Sequence, residues 1–367
     1  MQVIVILGDA TSPHIQRWTS YLLNRKYEVH LISFQPAKLN GIHLHYVKPP
    51  NFLIISPITS LWRKFGYIFC LLKVRRLINS LKPDILHAHW ATSYGLAGSL
   101  SGYHPYIISA WGRDVMTSPR RSWLMKKILQ YNLSKADGIT ATSQMLANET
   151  SKYVYTGKVV HHIPFGIDVD LFTPPSFKHS RGSICIGTVK ALEEKYGIEF
   201  LIRAYAKVVQ YEPKSKLLIV GDGSLRNHLL ELVEQLRIND NVQFTGRIPN
   251  NEIIQYLHKI DIFVVPSISE SETFGVSAIE ASACSIPVIA SNIGGLPEVV
   301  VDGVTGLLCP PRNVDALVDK ILLLIREKQL RRKLGMNGRI AIESKYTLER
   351  SGEMIEKVYN KIVNASN

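Results

Sequence analysis

Short β-branched runs alternate with longer amphipathic stretches along nearly the whole chain of 367 residues, and this rhythm constrains the fold more than any other feature. Strand–helix alternation at this pitch demands parallel sheets covered on both faces. In the first half the strand candidates are Val3–Leu7, Val29–Ser33, Ile42–Val47, Ile85–Ala88, Tyr106–Ser109, Gly138–Ala141 and Val159–Ile163. In the second half they are Ser183–Gly187, Leu217–Val220, Val242–Phe244, Ile262–Val265 and Val288–Ala290. Helical patterns fill most gaps, among them Ser60–Ser80, Trp123–Ser134, Val276–Ala283 and Val314–Arg326. The rhythm breaks once, in the Pro/Gly-rich stretch from Pro164 through Pro174-Pro175 to Gly182. The expectation is an α/β chain of two Rossmann-like domains facing a cleft, residues 1–168 and 169–349, with the binding site in that cleft. Residues 350–367 are expected to form a terminal helix packing back on the first domain.

Composition narrows the function classes. Hydrophobic residues at 46% and charged residues at 20% exclude a disordered or fibrous chain. No apolar run approaches the roughly 18 residues of a membrane-spanning helix. Gln2–Leu7 reads as a first strand rather than a signal peptide. Cys70, Cys185, Cys284 and Cys309 are scattered and make no CxxC, which fits a reducing cytoplasm. Residues 1–170 hold 19 Lys and Arg against 8 Asp and Glu, so they carry +11 of the total +13. A field so lopsided implies an anionic partner. Two basic segments with interleaved aromatics, Leu61–Arg76 and Arg120–Lys127, suit an anionic membrane surface, with a solvated face over core residues as the plainer reading. Nucleic acid is set aside because no recognised module for it appears.

The segment richest in chemistry runs from Pro266 to Ala281, PSISESETFGVSAIEA. A buried strand leads into a polar loop and a helix opening near Gly275. Ligands bind at strand carboxyl ends in open α/β sheets, and a helix N-terminus suits phosphate. Glu272 stands on the loop rim and Glu280 about two turns into the helix. Two such acceptors can take two sets of hydroxyls on one extended ligand, such as a sugar and a ribose. Glutamates placed for the helix dipole are the bland alternative.

Glu272-x7-Glu280 resembles the EX7E signature of family 4 glycosyltransferases, which have the GT-B fold. Further segments resemble that family in the same order: Ile163-Pro164-Phe165-Gly166-Ile167-Asp168, Val220-Gly221-Asp222-Gly223, Phe244 to Pro249, Asn292 to Glu298 and Asp302 to Leu308. The resemblance is dense from about 160 to 350 and thin before it. It implies a retaining transfer from a nucleotide-sugar, a UDP-sugar by preference, held on the C-terminal domain. Glu280 would take the ribose hydroxyls and Glu272 the sugar hydroxyls. Thr273, Phe274 and Gly275 would meet sugar and phosphates, and Arg247 and Ile248 would lie near the base.

The family usually has an arginine after the first strand of this domain and a lysine some six residues later, both on the diphosphate. Here Thr188 stands at the arginine position. Lys195 fits the lysine position, and Lys190 is the residue able to supply the missing charge; a solvated loop lysine is its plainer reading. In the first half, Gly8 follows the first strand and could approach a phosphate through its backbone, and His14, in the helix that follows, is expected on the acceptor side. His87 and His89 share one face of a strand. His89 is expected to meet the transferring sugar or a phosphate, and His87 to be a satisfied buried histidine. Arg113 and Asp114 line the acceptor side, either toward an anionic acceptor or as an ion pair with each other.

Catalysis would then rest on His89, Glu272 and Lys195, with no carboxylate placed as a glycosyl nucleophile. There is no HExxH and no Cys/His pair at zinc spacing, and Asp168-Val169-Asp170 falls in the linker signature. No metal and no cofactor are therefore expected, the nucleotide-sugar being a co-substrate. The acceptor would be a saccharide or a lipid-linked molecule in cell-surface polysaccharide or glycolipid synthesis, with the protein cytoplasmic and peripheral at the membrane. A sugar-nucleotide epimerase, a phosphorylase of the same fold and a non-catalytic sugar-nucleotide-binding adaptor are the alternatives. A dinucleotide oxidoreductase would need a GxGxxG that Gly8-Asp9-Ala10 does not supply.

Overall fold

Strands Ile85–His89 and Tyr106–Ala110 are buried at every position, the signature of sheet interiors covered on both faces. The computed structural model describes residues 2–48, 60–155, 157–175 and 182–366, except the side chains of 60–69 and 366. The chain divides into two units: unit 1 is Met1–Phe165 with Leu348–Asn367, and unit 2 is Gly166–Thr347.

Unit 1 contains β1 (Val3–Leu7), β2 (Glu28–Ser33), β3 (His43–Tyr46), β4 (Ile85–His89), β5 (Tyr106–Ala110), β6 (Gly138–Ala141) and β7 (Val160–His162). They form a sheet of order β3-β2-β1-β4-β5-β6-β7, parallel throughout. Unit 2 contains β8 (Cys185–Val189), β9 (Lys216–Val220), β10 (Val242–Phe244), β11 (Ile262–Val265), β12 (Val288–Ser291) and β13 (Gly306–Cys309). Its sheet, of order β10-β9-β8-β11-β12-β13, is also parallel throughout. In each sheet the strand order reverses once, between β1 and β4 and between β8 and β11. Loops leaving the carboxyl ends of such a pair diverge and leave a crevice, so these are the two expected ligand positions.

Local chemistry sets many of the boundaries. Pro13 begins the helix Pro13–Asn24, where a missing N–H costs nothing. The Asn313 side chain accepts from Ala316 N at 2.9 Å and starts Val314–Arg326. Gly275, at φ 90°, opens Val276–Ala283. Leu7, Leu86, Ile108 and Ile139 belong to one core of unit 1, and Ile4, Ile6, Ile15 and Ile355 to another. Ile186, Leu217, Ile219 and Val264 form the core of unit 2.

The terminal helix runs Leu348–Ser366 and belongs to unit 1. The unit boundaries therefore fall at 165/166 and 347/348 rather than at 168/169 and 349/350. Two elements are not read as such from the sequence. Residues Gly306–Cys309, read as part of a turn, form edge strand β13. Helix Lys328–Lys345 has no counterpart among the sequence assignments.

Candidate functional site

In unit 2 the carboxyl ends of β8 and β11 bring together Lys190, Lys195, Tyr196, Ser267 and Glu272. Lys190 Nζ lies 2.8 Å from Glu272 Oε2, and the two side chains are only 12% and 8% exposed. Ser267 Oγ donates to the same oxygen at 3.1 Å. Lys190 is thus a nearly buried partner of Glu272, and its reading as a solvated loop lysine is corrected. The ring of Tyr196 gathers both lysines: Lys190 Nζ lies 4.7 Å from its centroid and Lys195 Nζ 4.5 Å. Two ammonium groups on one aromatic ring repel each other. The ring's quadrupole and the Glu272 carboxylate offset that repulsion, and an anion placed beside both cations would offset it further.

Close backbone packing fixes this constellation. Lys190 N donates to Val220 O at 3.0 Å, and Leu192 N to Asp222 O at 3.0 Å. A side chain at Gly221 would collide with the Lys190 carbonyl, and one at Gly197 with the Pro266 carbonyl. Ile268 N donates to Lys195 O at 2.9 Å, tying the two loops together. Gly294 and Gly295 leave room for the Glu272 and Thr273 carbonyls, and Gly295 N donates to Glu272 O at 2.9 Å. The glycines that make the motifs recognisable therefore hold the lysine loop and the glutamate loop against their neighbours.

Thr273, Phe274 and Glu280 are buried, at 6%, 3% and 5% exposure. Phe274 packs edge-on to Tyr346. Glu280 stands close enough to Cys284 that, with burial as the larger cause, the thiol is pushed up to about 12. The first N–H groups of a helix have no intrahelical partner. At that end of Val276–Ala283, Ser277 is buried and its Oγ has no hydrogen-bond partner. Thr188, fully buried, likewise has an unpartnered Oγ1. Arg247 is exposed and Ile248 half-buried after β10. Nearby, Arg226 Nη1 is buried without a hydrogen-bond partner, 3.9 Å from where a side chain on Gly246 would begin. Sequence reasoning missed Tyr196, Ser267, Ser277 and Arg226. Tyr196 could have been found from its place between Lys195 and Gly197; the other three lacked any signal of spacing.

In unit 1 the loop after β1 uses its own amides. Gly8 N donates to Ile32 O at 3.2 Å, Ala10 N to Ser33 Oγ at 3.0 Å and Thr11 N to Asp9 Oδ1 at 2.9 Å. The bare Gly8 Cα makes room for Ile15. Gly8 is therefore a packing glycine, and its amide is not open to phosphate. His87 is saturated, with Nδ1 2.7 Å from Tyr359 OH and Nε2 2.7 Å from Ser109 Oγ; burial lowers its pKa to about 3. His89 is 3% exposed and its Nδ1 has no hydrogen-bond partner. Burial first, then His87 and His14, hold its pKa well below the usual imidazole value, so it is a neutral ring. His14 stacks on Phe165 at 4.2 Å. Trp90, directly after His89, has φ 87°, a strained conformation for a bulky residue.

Asp114 is fully buried. Its carboxylate accepts from Ala91 N at 2.7 Å, Gly112 N at 2.8 Å and Trp111 N at 3.2 Å, while Arg113 stands exposed. The ion pair between them is corrected: Asp114 pins the turn after β4 to the turn after β5. Asp168 Oδ1 accepts from Asp170 N and Leu171 N at 3.0 Å each, a structural turn.

A concavity of about 600 Å³ in unit 2 lies at the opposite, amino ends of the strands and includes Lys214, Lys259, Arg331 and Arg332. It shares no residue with the lysine–glutamate cluster, and the convergence of polar groups favours the latter. In the basic segment Arg120–Lys127, Trp123 is 75% and Leu124 45% exposed beside exposed Arg121, Lys126 and Lys127. In Leu61–Arg76, Lys73, Arg75 and Arg76 are exposed, and the side chains of 61–69 lie outside the described residues. Among the described residues no helix is long and apolar enough to cross a membrane, and no three His, Cys, Asp or Glu side chains form a metal-holding group.

Comparison with known proteins agrees with this geometry. The family description "Glycosyl transferases group 1" matches residues 173–341, and "Glycosyl transferase 4-like" matches residues 3–143. The chain is 26% identical to N-acetyl-alpha-D-glucosaminyl L-malate synthase of Bacillus anthracis, over 93% of this chain and 91% of that protein. It is 29% identical to an uncharacterised glycosyltransferase of Methanocaldococcus jannaschii, over 98% of each. Among solved structures, sucrose-phosphate synthase from Thermosynechococcus elongatus superposes with a TM-score of 0.85 at 20% identity, over 100% of each chain. Anabaena HepE, solved with UDP-glucose, superposes with a TM-score of 0.82 at 17% identity, over 98% of this chain and 100% of that one. With two parallel sheets in this strand order and both family descriptions matched, the chain belongs to the family 4 glycosyltransferases of GT-B fold.

Proposed function

We propose that this glycosyltransferase moves a hexose or N-acetylhexosamine from a nucleotide-sugar, a UDP-sugar by preference, onto a hydroxyl of a saccharide or lipid-linked acceptor with retention of configuration. The observation that carries the reading is the buried Lys190–Glu272 pair beside Lys195, with Glu280 buried in the helix that Gly275 opens. The two lysines suit a diphosphate, Glu272 suits sugar hydroxyls and Glu280 suits a ribose. A solved structure of the same fold holding UDP-glucose supports the choice of base.

In the reaction the anomeric carbon–oxygen bond breaks and negative charge gathers on the leaving diphosphate. Lys190 and Lys195 would stabilise that charge as it develops. The acceptor oxygen attacks from the face the diphosphate leaves, and its proton passes to a leaving phosphate oxygen. His89, a neutral ring in unit 1, would contribute by hydrogen bonding rather than by charge.

The test is a thermal-shift panel of UDP, GDP, UDP-glucose, UDP-N-acetylglucosamine and GDP-mannose, followed by mass spectrometry with saccharide and lipid-linked acceptors. A shift confined to one nucleotide family and a glycosylated product are expected; no shift with any of the five would sink the reading. The lipid-linked acceptor is supported by the exposed Trp123 among cations. Vesicles of anionic lipid should sediment the protein at low salt, and Trp123→Ala should sediment less. Equal sedimentation of the two proteins would favour a water-soluble acceptor.

A further inference from the structure

Resting on the donor-site reading, we propose that Lys190 is an exchange switch: it is held by Glu272 when the site is empty and handed to the diphosphate only by a donor that still carries its sugar. Lys190 Nζ and Glu272 Oε2 lie 2.8 Å apart, nearly buried, and Ser267 Oγ donates to the same oxygen. Removing one member of such a pair leaves the other charge buried and uncompensated, which is strongly unfavourable. A bare nucleoside diphosphate offers the Lys190 end of the site only anionic oxygens, its ribose hydroxyls being those read for Glu280. It can compete for Lys190, but it brings no sugar hydroxyl for the Glu272 carboxylate left behind. A complete nucleotide-sugar brings hydroxyl groups that can take Glu272 while its phosphates take Lys190. Both halves of the pair are then satisfied, so the pair discriminates between the intact donor and the spent one.

The arrangement suits the missing arginine. An arginine is charged at all relevant pH values and reaches phosphate through a rigid fork. Here Thr188 is fully buried and presents no cation, and Lys190 follows two positions later, just past the end of β8. Its backbone is tied to Val220 O and faces bare Gly221, so only the side chain is free to change partners. Tyr196, which holds both Lys190 and Lys195 over its ring, is the positioning residue that keeps the released ammonium beside its neighbour. Once the sugar has been transferred, Glu272 reclaims Lys190 and the diphosphate loses one of its two cations. The switch therefore loosens the product and retains the donor.

The experiment is calorimetric titration of UDP against UDP-glucose, and of GDP against GDP-mannose, into wild type, Glu272→Gln, Lys190→Met and the double variant, with circular dichroism to confirm folding. In Glu272→Gln the lysine is no longer held, so the bare diphosphate should bind about tenfold tighter and the nucleotide-sugar about tenfold weaker, the scale of one hydrogen bond to a charged group. Adding Lys190→Met should abolish the gain for the diphosphate. Should Glu272→Gln fail to fold, Glu272→Asp, which shortens the reach to Lys190, should move the two ligands in the same opposite directions by less. Ligands moving in the same direction, or a gain that persists without Lys190, would overturn the switch while leaving the donor site standing. Failure of the wild type to bind any of the four would overturn both.

Discussion

Glu356, in the last helix of the chain, accepts a 3.0 Å hydrogen bond from the hydroxyl of Tyr21 in the first. The same carboxylate, 9% exposed, accepts from Tyr27 OH at 3.0 Å and from Arg25 Nη2 at 3.2 Å. Burial and then this carboxylate raise the pKa of both phenols. Glu356→Ala should strip two phenols of their acceptor and cost unit 1 about 2–4 kcal/mol. Urea unfolding would show it, and Glu356→Gln should recover part of the loss. An unchanged midpoint for Glu356→Ala would mean that the helix is held by apolar contacts alone.

His87 makes stability depend on pH. Its pKa falls from the ordinary 6.5 to about 3 because burial disfavours the charged ring. The unfolded chain therefore binds the proton first. The stabilisation is fully present above pH 6.5 and is lost as pH falls from there toward about 3. Replacement by Gln should lower stability at pH 7.5, because the bonds to Tyr359 and Ser109 are disturbed. It should also flatten the decline between pH 6.5 and 4. Parallel slopes for wild type and His87→Gln would assign the acid sensitivity to other groups, of which buried His89 is the first candidate.

Asp114 holds two turns rather than a ligand. Asp114→Asn places an amide N–H₂ against three backbone N–H groups and should destabilise unit 1 by about 1–3 kcal/mol. Donor affinity, measured with the nucleotide alone, should be unchanged, while the Michaelis constant for acceptor rises. A loss of nucleotide affinity equal to that for acceptor would contradict this division of labour.

Two glycines separate backbone strain from lack of space. Gly197 and Gly303 both lie in the left-handed region, at φ 63° and 71°. A side chain at Gly197 meets the Pro266 carbonyl, whereas nothing lies within 4 Å of one at Gly303. Gly303→Ala should cost only conformational strain, about 1 kcal/mol. Gly197→Ala should cost more and should also weaken nucleotide binding, because it parts the Lys195 loop from Ile268. Equal costs for the two would show that the Pro266 loop yields freely.

The alternation of short β-branched runs with amphipathic segments determined the parallel architecture, because a strand buried on both faces has few other compositions open to it. Val276–Ala283 and Val314–Arg326, read from periodicity, have the same bounds in the structure, since capping residues and helical spacing are local. Where neighbours in space are remote in sequence, the pattern was mute. Strand β13 was hidden because Gly306–Cys309 is a short edge run within a turn motif. The helix expected to pack back on the first domain belongs to unit 1, but the partners that hold it, Tyr21, Arg25 and Tyr27 on Glu356, could not be read from spacing. Gly8 reads as a phosphate glycine until the Ile32 carbonyl is seen to hold its amide, and Asp114 as a partner for Arg113 until three amides claim it. Lys190 is one more loop lysine in the sequence. Only the tertiary fold, by bringing Glu272 within 2.8 Å in a nearly buried place, makes it a charge that must have a partner; burial and distance between remote segments decide that, and neither is written in local spacing.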